Sequence, residues 1–201
     1  MGKKSRKERE EERESFATKR SREKRKSFLI AAGIFGIIAV IVGYSAYTFV
    51  TMQGAVPGAP PGAGTLGDEH DHISLLVRLF GDKFDFSSPA YQIKSSWIHF
   101  EGADGNTIHR HSSGVTMGYL FETLGLTLTD ECFVFKSQEG QRPFCTDDNF
   151  SLKFYINHQP VDSILDYIGQ EGDRVLISYG NETPEEIEEQ LQEVDANIIR
   201  R

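Results

Sequence analysis

Five histidines and Glu101, all able to ligate a metal ion, crowd three short stretches of this 201-residue chain. WIHFE (97–101) carries His99 and Glu101, TIHRH (107–111) carries His109 and His111, and DEHDH (68–72) carries His70 and His72. In an extended chain alternate residues leave the same face, so His99 travels with Glu101 and His109 with His111. Between them ADGN is a turn signal, because Asp-Gly tolerates the positive φ of a hairpin turn. A turn centred between Asp104 and Gly105 sets His99 opposite Arg110 or, with a one-residue bulge, opposite His109 or His111. Two or three imidazoles and a carboxylate suit Zn2+ or Cu2+, whereas the lack of free thiolates argues against a soft-metal site or a closed structural zinc. His70 and His72 are further candidates that could fold in from the end of a flexible linker. The competing reading is that all of them are strand histidines paired with carbonyls and nearby acids.

Other chemistry is poorly supported. Ser112 and Ser113 lack the glycine pattern of a nucleophile elbow, and Gly102-Ala103-Asp104-Gly105 precedes a strand where a phosphate loop precedes a helix. Asp147 and Asp148 lack the ligand spacing of a calcium loop and read as turn formers. No catalytic residue and no residue for an organic cofactor is assigned, so the expectation is a protein that is not an enzyme. Asn181-Glu182-Thr183 is a glycosylation sequon.

The compartment of these residues follows from the N-terminal quarter. Residues 28–50, FLIAAGIFGIIAVIVGYSAYTFV, carry no charge, and as a helix rising about 1.5 Å per residue they reach roughly 34 Å, enough for a hydrocarbon core of about 30 Å. The first 27 residues hold 12 of the 22 Lys and Arg but 6 of the 30 Asp and Glu, leaving +6 before the apolar run and −14 after it. The positive-inside rule places the N-terminus in the cytoplasm and the acidic remainder outside. Mixed signs in the basic arm favour a solvated segment near anionic lipid over a nucleic-acid binder. The start MGKKSR has Arg6 where a myristoylation signal needs Ser or Thr.

The expected organisation is therefore a basic cytoplasmic arm (1–27), a transmembrane helix (28–50), a Pro/Gly/Ala-rich linker (51–72), a folded domain (73–180) and an acidic C-terminal helix (181–201). Within the domain, 74–80 reads as a strand with a tight turn and a return strand FDF, and 97–101 with 107–111 as a hairpin. Met117, Leu120, Phe121 and Leu124 fall at helical spacing and Gly125 closes the run. Strands follow at 132–135, 152–157 and 174–179. Val161, Ile164, Leu165 and Ile168 predict a short helix between the last two. Thr183-Pro184-Glu185-Glu186 is an N-cap, a first-turn Pro and a capping-box Glu, opening a helix striped by Ile187, Leu191, Val194 and Ile198. Cys132 and Cys145, the only cysteines, flank KSQEGQ, so a hairpin turning near 137–140 sets them opposite one another. A disulfide closing this loop contributes about 3 kcal/mol and suits an exported domain.

This order suggests an α+β, β-grasp-like extracytoplasmic domain. LKFYINHQPVDSILDYIGQEGDRVLISYG resembles the last third of β-grasp modules related to the C-terminal domain of transcobalamin, with a strand bearing an Asn, a short helix, a Gly-Asp turn and a strand ending in Tyr-Gly. No residue here matches a specific cobalamin contact, so that ligand does not transfer. YQIKSSWIHFEGADGNTIHRHSSGVTMGYLFETLG resembles single-pass membrane proteins of archaea, of the ammonia-oxidiser type, a likeness that implies topology and no particular activity.

The leading expectation is a membrane-anchored binding or assembly module with a protein partner at the cell surface and no nucleic acid. Tyr91, Trp97, Phe100, Phe133 and Tyr155 are its candidate docking aromatics, although most such residues pack inward. The alternatives are a Zn or Cu carrier or sensor built on the histidines and, third, a metal-dependent enzyme.

Overall fold

The computed structural model describes residues 2–51 and 58–199, in two compact units that divide after Gly54. The first is one helix, α1 (Gly2–Thr51). Its stretch Thr18–Thr48 is long and apolar enough to cross a membrane, and none of that stretch is buried.

The second unit runs, in chain order, through β1 (Asp71–Leu79), β2 (Asp82–Lys83), β3 (Ile98–Phe100), β4 (Thr107–Arg110), α2 (Met117–Thr123), β5 (Thr127–Leu128), β6 (Cys132–Ser137), β7 (Gly140–Cys145), β8 (Ser151–Ile156), β9 (Gln159–Val161), β10 (Arg174–Gly180) and α3 (Pro184–Ala196). The main sheet has the order β3-β4-β1-β10-β8-β9, with β2 paired to β1. At its centre β1 and β10 run parallel, while their outer neighbours are antiparallel. A small second sheet, β5-β6-β7, carries the Cys132–Cys145 disulfide across directly paired strand positions.

Alternation along β1 explains both faces of the main sheet. Ile73, Leu75, Val77 and Leu79 enter the larger core with Ile108, Leu120, Phe121, Phe133, Ile164, Val175 and Ile177. Leu76 points the other way and, with Leu176, is covered by Ile187, Leu191 and Val194 of α3. The capping box forms as expected: Thr183 Oγ1 accepts from Glu186 N, and Thr183 N donates to Glu186 Oε2. Ile198 lies beyond the end of α3 and is exposed.

Residues 161–168 depart from expectation, for they form no helix. Val161 ends β9, and Ile164 is buried from an irregular turn. Helical spacing over eight residues offers few i to i−4 bonds, and here the backbone groups are used elsewhere. Carbonyls of Leu165 and Tyr167 accept from Gly118 N (2.9 Å) and Met117 N (2.8 Å), satisfying first-turn donors of α2, while Ser163 Oγ accepts from Leu165 N. The Pro/Gly-rich stretch also differs from a free linker: Gly64 N and Gly67 N donate to Ser113 and His111 carbonyls, and β1 begins at Asp71.

Leu120 and Ile164 have no exposed surface. Leu120→Ala and Ile164→Ala should each destabilise the protein by about 2–5 kcal/mol, measured by denaturant unfolding followed through Trp97, the single tryptophan. A midpoint unchanged for both variants would contradict this packing.

Candidate metal centre

The histidine face is built by register. His72 of β1 pairs with His109 of β4, and His109 pairs in turn with His99 of β3, which makes a row of three imidazoles across adjacent strands. Two residues along, on the same face by alternation, come His70, His111 and Glu101. Ring centroids are 4.5 Å apart for His70–His111, 4.7 Å for His70–His72, 4.8 Å for His72–His109 and 4.9 Å for His99–His111. All six groups singled out in the sequence are thus brought together. His158 stands apart and bonds Asp195 at 2.9 Å.

The hairpin reaches this register by a different turn from the one ADGN suggests. Asp104 N donates to Glu101 O across Gly102 and Ala103, whose φ values are 62° and 54°. Those two residues supply the positive φ. Gly105 answers another demand, because a Cβ there would lie 2.6 Å from Ser87 N. The turn therefore sits nearer the start of the loop, and His99 meets His109.

Placement of DEHDH was the least legible part. Arg110 is buried, and its guanidinium pairs with Glu69 and Asp71, with Nε donating to Gly169 O (2.9 Å) and an amino group to Ser112 O (2.6 Å). A buried cation needs such partners. Glu69 and Asp71 alternate with His70 and His72, so the ion pairs that hold the acids at Arg110 turn both imidazoles to the opposite face. Acid and histidine alternation was the signal for this; the Pro/Gly composition upstream masked it.

Hydrogen bonds then orient the rings. His99 Nδ1 donates to Ser95 O (2.7 Å), which leaves Nε2 a lone pair in the neutral ring. His72 Nδ1 contacts Glu171 Oε2 at 3.0 Å, and its Nε2 is buried without a hydrogen-bond partner. His109 Nδ1 is likewise buried without one. Ligand atoms of His70, His72 and His109 all lie within 4.8 Å of one another. Bonds of 2.0–2.1 Å to a tetrahedral ion would set ligands roughly 3.3 Å apart, so binding would need a small closure of the trio, to which the exposed His70 can contribute.

Burial favours the uncharged imidazole that a metal requires. It pushes His111 down to about 4, helped by His99, His70 and His109 and opposed by Glu101. Burial also lowers His109, against the pull of Glu101 and with further repulsion from His72, His99 and His70. For Glu101 burial works against ionisation, but His109, His99 and His111 together hold its carboxyl below the usual range. Burial thus biases His109 and His111 toward the neutral form beside one carboxylate.

No family model, curated protein or solved structure matches the chain. Fold and site alone define its class: an apolar helix long enough to cross a membrane, followed by a disulfide-bonded α+β domain with a histidine array on one sheet face.

His109 and His111 have lowered affinity for protons in the folded state, so between about 6.5 and about 4 the unfolded chain binds more protons. Stability of the metal-free protein must then fall as pH falls through that window. A Tm series from about pH 7 to about pH 4.5 should show the decline, and the double variant His109→Ala/His111→Ala should flatten it. Identical slopes in parent and variant would contradict the assignment.

Proposed function

We propose that the chain is a membrane-anchored, extracytoplasmic metal-binding protein that captures Zn2+ or Cu2+ through His70, His72 and His109. The observation that carries this reading is His72: Glu171 holds its Nδ1, its Nε2 is buried and unpartnered, and the ring offers a ligand atom within 4.8 Å of one on His70 and one on His109. A carboxylate behind a histidine fixes the tautomer and raises ligand basicity, as in carboxylate–histidine–metal triads. An orphaned buried nitrogen is costly unless something fills the space before it.

A β-grasp-like architecture for the outer domain is supported by the parallel β1–β10 pair at the sheet centre with antiparallel strands on both sides. The apolar span and the charge asymmetry support a single crossing with the N-terminus in the cytoplasm. The disulfide is in keeping with an oxidising compartment for the domain. A docking role draws less support, since Trp97, Phe100 and Phe133 are buried in the core, and Tyr91 is half-buried against it. Nucleophilic catalysis draws none from the serines: Ser112 Oγ donates to Ser113 O, and Ser113 Oγ to Asp68.

Isothermal titration of the detergent-solubilised full chain with Zn2+ should give saturable binding. His72→Ala/His109→Ala should remove the ion held by this trio, lowering the stoichiometry, and Glu171→Gln should weaken its binding by about 10–100-fold. An unchanged stoichiometry in the double variant would overturn the proposal.

Topology has its own test. Protease added to intact cells should remove the domain that follows the helix and spare the basic arm. Protection of that domain, alongside digestion of a known external protein, would reverse the orientation.

A further inference from the structure

The array contains more ligands than one ion needs. With His70, His72 and His109 assigned to one ion, His99, His111 and Glu101 remain on the next strand interval of the same face, and they show their own unmet chemistry. His99 Nδ1 donates to Ser95 O, so in the neutral ring Nε2 is an acceptor, and a second acceptor, Glu101 Oε2, stands 3.4 Å from it. Two lone-pair donors facing each other at that distance repel unless a proton or a metal ion lies between them. The separation is close to the roughly 3.3 Å edge between ligands of one tetrahedral ion with bonds of 2.0–2.1 Å. The other carboxylate oxygen, Oε1, stands 3.8 Å from the unpartnered Nδ1 of His109. One carboxylate thus faces a ligand of each set with a different oxygen.

Resting on the metal-binding reading above, we propose that this face is a dinuclear centre. A first divalent ion sits between β1 and β4, held by His70, His72 and His109. A second sits between β4 and β3, held by His99 and His111, and Glu101 bridges the two. Adjacent strands lie about 4.8 Å apart, so ions centred in successive intervals start somewhat wider than the about 3.5–4 Å spacing of two-metal sites. The bridging carboxylate draws the pair together and contributes negative charge where the two cations repel most. The ligand class is borderline divalent: five imidazoles and one carboxylate suit Cu2+ or Zn2+ better than Mg2+ or Ca2+, which take oxygen ligands.

The test loads the detergent-solubilised full chain with Cu2+ and reads both bound metal per chain and the electron paramagnetic resonance spectrum. Two equivalents are expected, with an integrated signal below that of two isolated ions because the bridge couples their spins. Glu101→Gln, nearly isosteric and at a half-exposed side chain, should remove the coupling. His99→Ala/Glu101→Gln should leave one equivalent with a full mononuclear signal. One equivalent in the parent would overturn the dinuclear centre and leave the metal-binding function standing, and none would overturn both. Two uncoupled ions in the parent, or two ions retained by the double variant, would also overturn it.

Discussion

The histidine face depends on one buried cation. Arg110 lies on β4 with its side chain on the core side of the sheet, where an unpaired guanidinium would carry several kcal/mol of desolvation cost. Glu69 and Asp71 are the charges that meet it, and both belong to the segment where the Pro/Gly-rich stretch becomes β1. Pairing them fixes the β1–β4 register at Asp71 opposite Arg110 and His72 opposite His109. A slip of one residue would turn every side chain of the segment over, presenting histidines to the guanidinium and carboxylates to the imidazole row. Only one register therefore satisfies the ion pairs and the histidine row together.

Much of this was legible in the sequence where local chemistry decides the structure. The WIHFE–TIHRH hairpin, the α2 stripe, the capping box of α3 and the cross-strand cysteines all depend on side chains within a few residues of the element they define. The 161–168 segment failed because its apolar spacing is produced equally by a turn that buries Ile164 and lends its carbonyls to α2. That choice is made by a partner about 50 residues upstream, which periodicity cannot register. His70 and His72 were underweighted for a similar reason. Their position is set by Arg110, about 40 residues away, and the composition just before them reads as linker.

Both faces of the sheet are used, for different ends. On the core side the row beside Arg110 is aliphatic and aromatic. On the other, α3 covers Leu76 and Leu176, and its C-terminal turn reaches β1 where Asn197 Nδ2 donates to Ser74 Oγ. Ser74 is two residues beyond His72 on the same face. The apolar cover therefore ends where the histidine array begins, and the array occupies the part of this face that α3 leaves uncovered. The same helix that buries Leu76 sets the boundary of the site.

That boundary bears on how the site is held ready for a cation. Imidazoles in water would carry protons at mildly acid pH and would rotate freely, so a metal would have to displace protons and order the rings. Here strand pairing orders the backbone, Ser95 O and Glu171 fix two rings, and burial biases His109 and His111 toward the uncharged form. The free energy for these arrangements is met during folding, largely by the core on the opposite face and by Arg110 with its acids. What remains unpartnered in the folded protein is His72 Nε2 and His109 Nδ1, with one Glu101 oxygen 3.8 Å from the latter and the other 3.4 Å from His99 Nε2. A proton relieves only one such contact at a time, whereas a divalent ion relieves several together. The architecture is thus better matched to a multiply coordinated metal than to protonation.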